Sequence, residues 1–265
     1  MTDAPEPVSQ AAIDDLRERL RRTRRVPLVE GLGWARGTDA GFLTSLLASW
    51  SDDYDWRAHE RRLLALPWRT TSNGMRLIDQ AADRPDAPVV VLLHGWPDSF
   101  LRYERVLPLL RDVRVIVPCL PGYPYGLPIR EAGLSTGATA DLIAAALAEL
   151  GIGRAVVSGG DIGASVLESL LADHPGLVAA AHLTNVPTPH YFQAVPDDLA
   201  PEEQQALHAA AAWNASEAGY SHEQGTKPHT LAVGLGDSPA GLAAWVVEKL
   251  RDWSCLLYTS DAADE

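Results

Sequence analysis

Residues 156–165 read VVSGGDIGAS, and this stretch decides the fold of the chain. An apolar run from Ala155 to Val157 predicts a buried strand, and an Ala/Leu-rich pattern from Ala164 to Ala172 predicts a helix. Asp161 lies in the turn between them, where Gly159, Gly160 and Gly163 are expected to give the turn its φ freedom and to leave room for close packing. A strand, a sharp turn and a helix form a nucleophile elbow, which presents one reactive side chain at the top of a sheet.

The tip of this elbow carries Asp161, where serine is the more usual residue. A carboxylate nucleophile at this position would form an alkyl ester as its covalent intermediate. Aspartate is also a common N-cap residue, so Asp161 could instead only cap the helix that begins near Ile162. The motif alone leaves both interpretations open.

Composition and charge exclude several classes of function. A length of 265 residues with 46% hydrophobic residues indicates one large domain, or one domain with an insertion. The formal net charge of −13 argues against nucleic acid and anionic membranes as partners. The polar N-terminus and the lack of a long apolar run predict a cytoplasmic protein without a membrane anchor. Cys119 and Cys255 fit neither a disulfide framework nor the spacing of a metal site.

Strand and helix patterns alternate along the middle of the chain. A hairpin is predicted over Trp68–Gln80, with its turn at Ser72-Asn73-Gly74. The remaining strands are predicted at Pro88–Leu93, Val113–Pro118 and Val178–Leu183, and the helices at Phe100–Leu110 and from Ser135/Thr136 to Leu150. This alternation predicts an α/β fold with a mostly parallel sheet and helices on both faces.

Helical patterns dominate both ends of the chain. Helices are predicted at Ile13–Leu20, Phe42–Ser49 and Asp55–Leu66, and again at Glu202–Ala212 and Ala240–Trp253. The later helices are interpreted as a lid over the carboxyl edge of the sheet, where open α/β sheets bind ligands. The predicted domains are a helical arm at 1–67, an incomplete core at 68–185 and a partial lid at 186–254. Residues 255–265 resemble a translated sequencing adapter and are expected to be non-native.

An ester on Asp161 would need two backbone N–H groups aimed at its carbonyl oxygen while it breaks down. One is expected from Ile162, directly after the nucleophile. The other is expected from the loop His94-Gly95-Trp96-Pro97, which follows a predicted strand. Trp96 has a free N–H and Pro97 has none, so Trp96 is the predicted donor. His94 is predicted to be a structural residue that hydrogen-bonds the backbone.

These motifs, taken in order, resemble the α/β-hydrolase epoxide hydrolases, and in particular their microsomal-type branch. The matching stretches are the core motifs at 94–97 and 159–163, the arm motif Tyr54-Asp55-Trp56-Arg57, and lid segments at 219–228 and 237–245. The resemblance runs from about Val26 to Ser254, and the order of several motifs makes it specific.

The resemblance implies a mechanism in which Asp161 attacks an oxirane carbon. Tyr220 matches the first lid tyrosine of the family, which protonates the epoxide oxygen as the ring opens. A phenol suits this step because it is neutral near pH 7. Without the resemblance, an ordinary half-buried lid aromatic residue would be the better interpretation of Tyr220. In the family, water activated by a histidine then releases a vicinal diol. The implied substrate is a small apolar epoxide, and no metal or organic cofactor is implied.

The chain departs from the family after the lid. The second lid tyrosine, the charge-relay acid and the catalytic histidine of the family all follow the lid, and none of the eight histidines here occupies such a position. His229 and Glu248 are interpreted as ordinary lid residues. We therefore expect a C-terminally truncated epoxide hydrolase that is alkylated at Asp161 but does not hydrolyse the ester.

Three alternatives remain at this stage. A haloalkane dehalogenase also uses an aspartate on this fold, but it commonly places a tryptophan after the nucleophile, where this chain has Ile162. A serine hydrolase is disfavoured because Ser158 and Ser165 lie off the tip of the elbow. A non-catalytic remnant that binds small apolar molecules is consistent with the missing histidine. The sequence makes no prediction of an oligomeric state.

Overall fold

Apolar, β-branched runs form the centre of a mixed sheet in the computed structural model, which describes residues 3–27, 29, 31–130, 132–187 and 198–254. The strands of the described chain are β1 (Trp68–Thr70), β2 (Arg76–Gln80), β3 (Val89–Leu93), β4 (Arg114–Pro118), β5 (Ala155–Gly159) and β6 (Val178–Leu183). Their spatial order is β1-β2-β4-β3-β5-β6. The tail expected at 255–265 lies outside the described residues.

The sheet combines an antiparallel edge with a parallel centre. Strand β2 pairs antiparallel with both β1 and β4, whereas β4, β3, β5 and β6 are parallel neighbours. The hairpin predicted around Ser72-Asn73-Gly74 is therefore present as β1 and β2. The predicted α/β class, with a mostly parallel sheet, is confirmed.

Both faces of the sheet are covered, as the alternation of side chains along a strand requires. Leu77, Val91 and Ile116 join one hydrophobic cluster with residues of helices α4 (Thr136–Glu149) and α5 (Ile162–Asp173). Their strand neighbours join a second cluster, which contains Ile78, Leu92, Val115, Val117, Trp68 and Phe100. The side chain of Ser135 caps α4 by accepting from the Ala138 N–H, in line with the predicted cap.

The prediction of a single helix over Phe100–Leu110 is wrong. The structure has two short 3-10 helices there, Phe100–Tyr103 and Leu107–Leu109. Pro108 lies in the first turn of the second helix, where its missing N–H is harmless. In the interior of a continuous α-helix the same proline would remove a hydrogen bond and clash with the preceding turn.

The chain divides into two compact units. The first comprises Met1–Glu6 and Glu60–Pro196, and the second comprises Pro7–His59 and Asp197–Glu265. Helices outside the sheet region are α1 (Gln10–Arg21), α2 (Ala40–Asp52), α3 (Trp56–Leu64), α6 (Pro201–Glu217), α7 (Gly219–Thr226), α8 (Pro228–Asp237) and α9 (Pro239–Asp252). The sequence patterns missed α7 and α8. The domain boundaries drawn from the sequence, which separate arm from lid, stay a prediction.

The second unit has a small core of its own. Leu20 of α1, Leu47 of α2 and Ala240 of α9 are buried together. Hydrogen bonds add to this packing, because Thr38 Oγ1 donates to the Ala244 carbonyl at 2.7 Å. Within the described residues, no helix taken singly has the length and apolar character needed to cross a bilayer. One bent pair, α8 with α9 at 116°, passes that test by length and composition alone.

A bidentate ion pair ties β2 to β4 at the junction of the antiparallel and parallel parts of the sheet. The Nε and Nη2 atoms of Arg114 donate to the two carboxylate oxygens of Asp79, each at 2.8 Å. The hydrogen bonds that Arg114 donates to Asp79 raise the pKa of Arg114 above its ordinary value. The Asp79 side chain is only 7% exposed, so it depends on this partner more than a surface carboxylate would. Arg69 is a more distant second partner, at 3.7 Å.

We expect Arg114→Leu to lower the free energy of unfolding by about 2–3 kcal/mol, because it leaves a nearly buried carboxylate without its bidentate partner. Arg111→Leu is the matched control. Its pair with Asp83 is exposed on both sides, so its loss is expected to cost less than about 1 kcal/mol. Urea denaturation of the three proteins measures both values, and equal losses would contradict the importance assigned to the Arg114 pair.

Candidate active site

The elbow has the backbone geometry of a strained turn. Strand β5 ends at Gly159 and helix α5 begins at Ile162, with Asp161 between them at φ 54° and ψ −126°. Positive φ is unfavourable for a residue with a Cβ atom, and such strain persists where the surrounding structure fixes it. The Asp161 carbonyl accepts from the Ala164 N–H at 3.0 Å, in the first turn of α5. Its side chain makes no cap hydrogen bond to that helix, so the carboxylate serves no capping role.

The glycines of the elbow are required for close approach. An added Cβ at Gly159 would overlap the Gly163 carbonyl, and one at Gly163 would overlap the carbonyls of Leu93 and His94. The room for close packing expected at these glycines is confirmed, whereas the positive φ of the turn falls on Asp161 itself. Their lack of a side chain lets β5, α5 and the end of β3 come together.

The loop after β3 supplies a hydrogen-bond donor to the Asp161 carboxylate. The Trp96 N–H donates to Asp161 Oδ1 at 2.8 Å. Gly95 lies so close to this carboxylate that an added Cβ would overlap it. The structure therefore brings together Asp161 and one of the two predicted donors, Trp96. No hydrogen bond from the Ile162 N–H to the carboxylate is present in the described part of the chain.

Asn185 is a residue of this site that the sequence analysis missed. It follows β6, the parallel neighbour of β5, and its Oδ1 accepts from the Asp161 N–H at 2.6 Å. The bond fixes the backbone of the residue that carries the positive φ. One feature of the sequence could have indicated this residue: Asn185 carries an amide side chain just beyond the carboxyl end of a predicted strand, at the edge of the sheet where ligands bind.

His94 is buried and holds the start of the loop. Its Nε2 accepts from the Leu120 N–H at 3.1 Å, which requires a neutral ring with its hydrogen on Nδ1. The pKa of His94 is lowered to about 4, mainly because the ring is buried. The charge of Arg102 also lowers this pKa, and a hydrogen bond with the Gly95 backbone partly opposes the shift. The ring also packs edge-on against Tyr123. A structural role is what this geometry supports.

Two other histidines among the described residues of the first unit make polar contacts. His182 Nδ1 lies 2.8 Å from Ser158 Oγ, as expected for residues paired across β5 and β6. His174 Nε2 lies 2.7 Å from Asp141 Oδ1. Asp161 precedes α5 and His174 follows its last residue, so the 12 residues of the helix separate them by roughly 18 Å along its axis. The pair of His174 and Asp141 is therefore too far away to act on an ester at Asp161.

Tyr220 lies on α7 in a cluster of aromatic and charged side chains. Its ring centroid is 4.9 Å from that of Trp253, and Lys249 Nζ lies 5.6 Å from the Tyr220 ring. Lys249 is buried, with Glu248 at 2.8 Å and Glu217 at 3.6 Å. A cation over an aromatic face is favourable when it is removed from water, so Lys249 helps to fix the Tyr220 ring. Tyr220 belongs to the second unit and Asp161 to the first.

A group of three carboxylates lies beside the same lysine. Ligand atoms of Glu217, Glu248 and Asp252 lie within 4.8 Å of one another, a spacing that a cation would tolerate. The Lys249 ammonium already faces two of them. The group is therefore described as an ion-pair network, and no metal chemistry is derived from it.

Comparisons with known proteins give matches along most of the chain. A family model described as "Epoxide hydrolase N terminus" matches residues 3–103, and one described as "alpha/beta hydrolase fold" matches residues 88–224. A Stigmatella aurantiaca protein named "Putative epoxide hydrolase" is 34% identical over 261 residues, which cover 93% of this chain and 59% of that protein. The chain thus spans about three-fifths of the length of the curated relatives it matches.

Two solved structures share the fold over nearly the whole chain. Aspergillus niger epoxide hydrolase superposes with a TM-score of 0.83 at 26% identity, over 92% of this chain and 68% of that one. Juvenile hormone epoxide hydrolase from the silkworm Bombyx mori superposes with a TM-score of 0.82 at 28% identity, over 94% and 65%.

The neutral, buried His94 predicts a loss of stability in acid. The unfolded chain takes up a proton near pH 6.5 and the folded chain only near pH 4, so stability falls as the pH decreases between these values. The full loss is about 3 kcal/mol. Urea denaturation between pH 7 and 4 measures this dependence, which we expect to be smaller in His94→Gln and unchanged in His208→Gln, a control at an exposed site. The same pH dependence in wild type and His94→Gln would contradict the assignment.

Proposed function

The chain belongs to the epoxide hydrolase family of α/β-hydrolases, and from this membership we propose that it opens epoxides through an ester on Asp161. One observation carries the proposal: Asp161 Oδ1 accepts a hydrogen bond from the Trp96 N–H at 2.8 Å. One carboxylate oxygen is held by the backbone, and the other is available to attack.

Because Oδ1 is hydrogen-bonded to the Trp96 N–H, Oδ2 is the proposed attacking atom. Oδ2 of Asp161 forms a bond to one oxirane carbon while that carbon's bond to the epoxide oxygen breaks, and the electron pair goes to the epoxide oxygen. Oδ1 becomes the carbonyl oxygen of the resulting ester and stays beside the Trp96 N–H. When water later attacks the ester carbon, negative charge develops on Oδ1, where a fixed donor is most effective. The same N–H therefore supports both halves of the reaction.

Tyr220 is the proposed proton donor to the epoxide oxygen. A phenol has an ordinary pKa near 10, so it is protonated at neutral pH and can give its proton to a forming alkoxide. The match of its surroundings to the family's first lid tyrosine supports this role. Its contacts with Trp253 and Lys249 support a fixed ring orientation.

The second half of the reaction requires a base that activates water. Among the described histidines only His174 is hydrogen-bonded to a carboxylate, and it lies at the far end of α5. We therefore propose that the ester on Asp161 is long-lived in this chain. The proposed substrate is a small apolar epoxide, as Trp96 and Tyr220 favour an apolar partner.

We expect purified chain incubated with excess styrene oxide to gain the mass of one substrate molecule on the peptide that contains Asp161. Asp161→Asn should abolish this gain, because an amide is a poor nucleophile. Asp173→Asn, which removes an exposed carboxylate at the other end of α5, is the matched control and should react normally. Intact and peptide mass spectra measure the adduct, and a diol assay on the same sample measures turnover.

A folded chain that forms no adduct, or forms it elsewhere, would contradict the nucleophile assignment. Sustained diol formation that Asp161→Asn abolishes would keep the nucleophile and overturn only the long-lived ester.

Gly95→Ala tests the geometry of the carboxylate. The new methyl group overlaps the Asp161 side chain and displaces it from the Trp96 N–H. Misplacement of a nucleophile by about 1 Å typically costs about 100-fold in rate, and we expect ester formation to slow by that factor. Gly153→Ala is the control, since a Cβ at that glycine meets no atom within 4 Å. The rate of adduct formation by mass spectrometry measures both variants, and equal rates for the two would rule out the proposed arrangement.

A further inference from the structure

A cavity of about 800 Å³ lies within the second compact unit, and the proposed reaction does not use it. Its lining comes from three stretches of the chain, within 23–26, 36–47 and 238–248. No residue of the elbow or of the loop after β3 lines it. Cavities of this size are typical of small-molecule sites in proteins.

The floor of this cavity is apolar. Leu47 and Ala240 line it and belong to the buried core of the unit, and Leu43, Ala244 and Trp245 extend the apolar surface. The Trp245 indole N–H donates to Gln224 Oε1 at 3.1 Å, so the polar atom of this side chain already has a partner. A ligand that covers this floor must therefore present hydrocarbon to it.

The rim of the cavity is basic. Arg24, Arg25 and Arg36 line it together with one carboxylate, that of Glu248. Glu248 is held by the Lys249 ammonium at 2.8 Å, and Arg25 donates to Thr44 Oγ1 at 2.8 Å. Neither Arg24 nor Arg36 has a hydrogen bond or an ion pair with any residue the structure describes. A chain with a net charge of −13 thus carries a local excess of positive charge at one apolar opening.

The walls of the cavity are tied to one another by hydrogen bonds. Thr38 Oγ1 donates to the Ala244 carbonyl at 2.7 Å and so joins the stretch before α2 to α9. Next to the lining, Arg19 Nη1 donates to the Asp237 carbonyl at 3.2 Å, and this bond joins the end of α1, which precedes residues 23–26, to the end of α8, which precedes Ser238. Such contacts hold the floor and rim in place before a ligand binds, which lowers the cost of ordering them.

We propose that this cavity binds a single-chain anionic amphiphile, specifically an alkyl carboxylate, with its chain on the apolar floor and its carboxylate between Arg24 and Arg36. The planar guanidinium group donates two parallel hydrogen bonds to a carboxylate, which makes arginine well suited to this head group. Displacement of water from the floor supplies the remaining affinity. The proposal does not depend on the reaction at Asp161.

Isothermal titration calorimetry of the purified chain with decanoate tests the proposal directly. We expect decanoate to bind with one site per chain, decanol to bind roughly tenfold more weakly, and decyltrimethylammonium not to bind, because the chain length is constant and only the head group changes. Raising the salt concentration should weaken decanoate binding by screening the exposed arginines.

Two double variants distinguish the effect of the rim arginines on decanoate binding from the effect of the net charge of the chain. Arg24→Gln combined with Arg36→Gln should weaken decanoate binding by about tenfold. Arg84→Gln combined with Arg154→Gln removes the same charge from exposed positions of the first unit and should leave binding unchanged. Ala244→Trp should fill the floor and abolish binding, with circular dichroism confirming that the chain is folded.

Equal affinity for decanoate and decanol would overturn the role of the arginines and leave only an apolar cavity. Equal weakening in both arginine pairs would show a general charge effect and would also overturn the proposal. Binding to phosphatidylglycerol vesicles without binding to decanoate would assign the basic rim to a membrane surface and contradict a cavity for a single chain.

Discussion

The hydrogen bond from the Trp96 N–H to Asp161 Oδ1 is the contact on which the position of the Asp161 carboxylate depends. It joins the ends of two parallel strands, β3 and β5, which pair directly in the sheet. The bond forms because the two chain segments approach more closely than side chains normally allow. Gly95 on one side and Gly163 on the other make this approach possible, since a Cβ at either position would overlap its neighbour.

Buried polar groups hold the end of β3 in register with this contact. His94 accepts from the Leu120 N–H, and the Tyr103 hydroxyl donates to the Leu93 carbonyl at 2.9 Å. Burial raises the pKa of Tyr103 and lowers that of His94, so both groups are neutral at pH 7. Neutral partners allow this region to exclude water without leaving a charge unpaired.

Sequence patterns predicted the parts of the fold that depend on local composition. The strands around the elbow, the hairpin at Ser72-Asn73-Gly74 and the cap at Ser135 all follow from nearby residues. The break at Pro108 and the helices α7 and α8 were missed, because one proline was outweighed by an apolar pattern and the two helices begin with Gly219 and Pro228. Asn185 was missed for a different reason: its partner lies 24 residues away, and only the pairing of β5 with β6 brings the two together.

The positive φ of Asp161 also bears on how such a site changes during evolution. The strain of the turn lies at the tip, and the backbone around it fixes that strain through the bond from the Asp161 N–H to Asn185. The tip side chain makes no cap contact with α5, and the tight steric limits fall on the glycines beside it. A different side chain at position 161 can therefore keep the backbone of the turn and its bond to Asn185, whereas the contact with the Trp96 N–H depends on the carboxylate. The backbone fixes where the side chain at the tip begins, and the residue type at position 161 alone decides which chemical group is presented there.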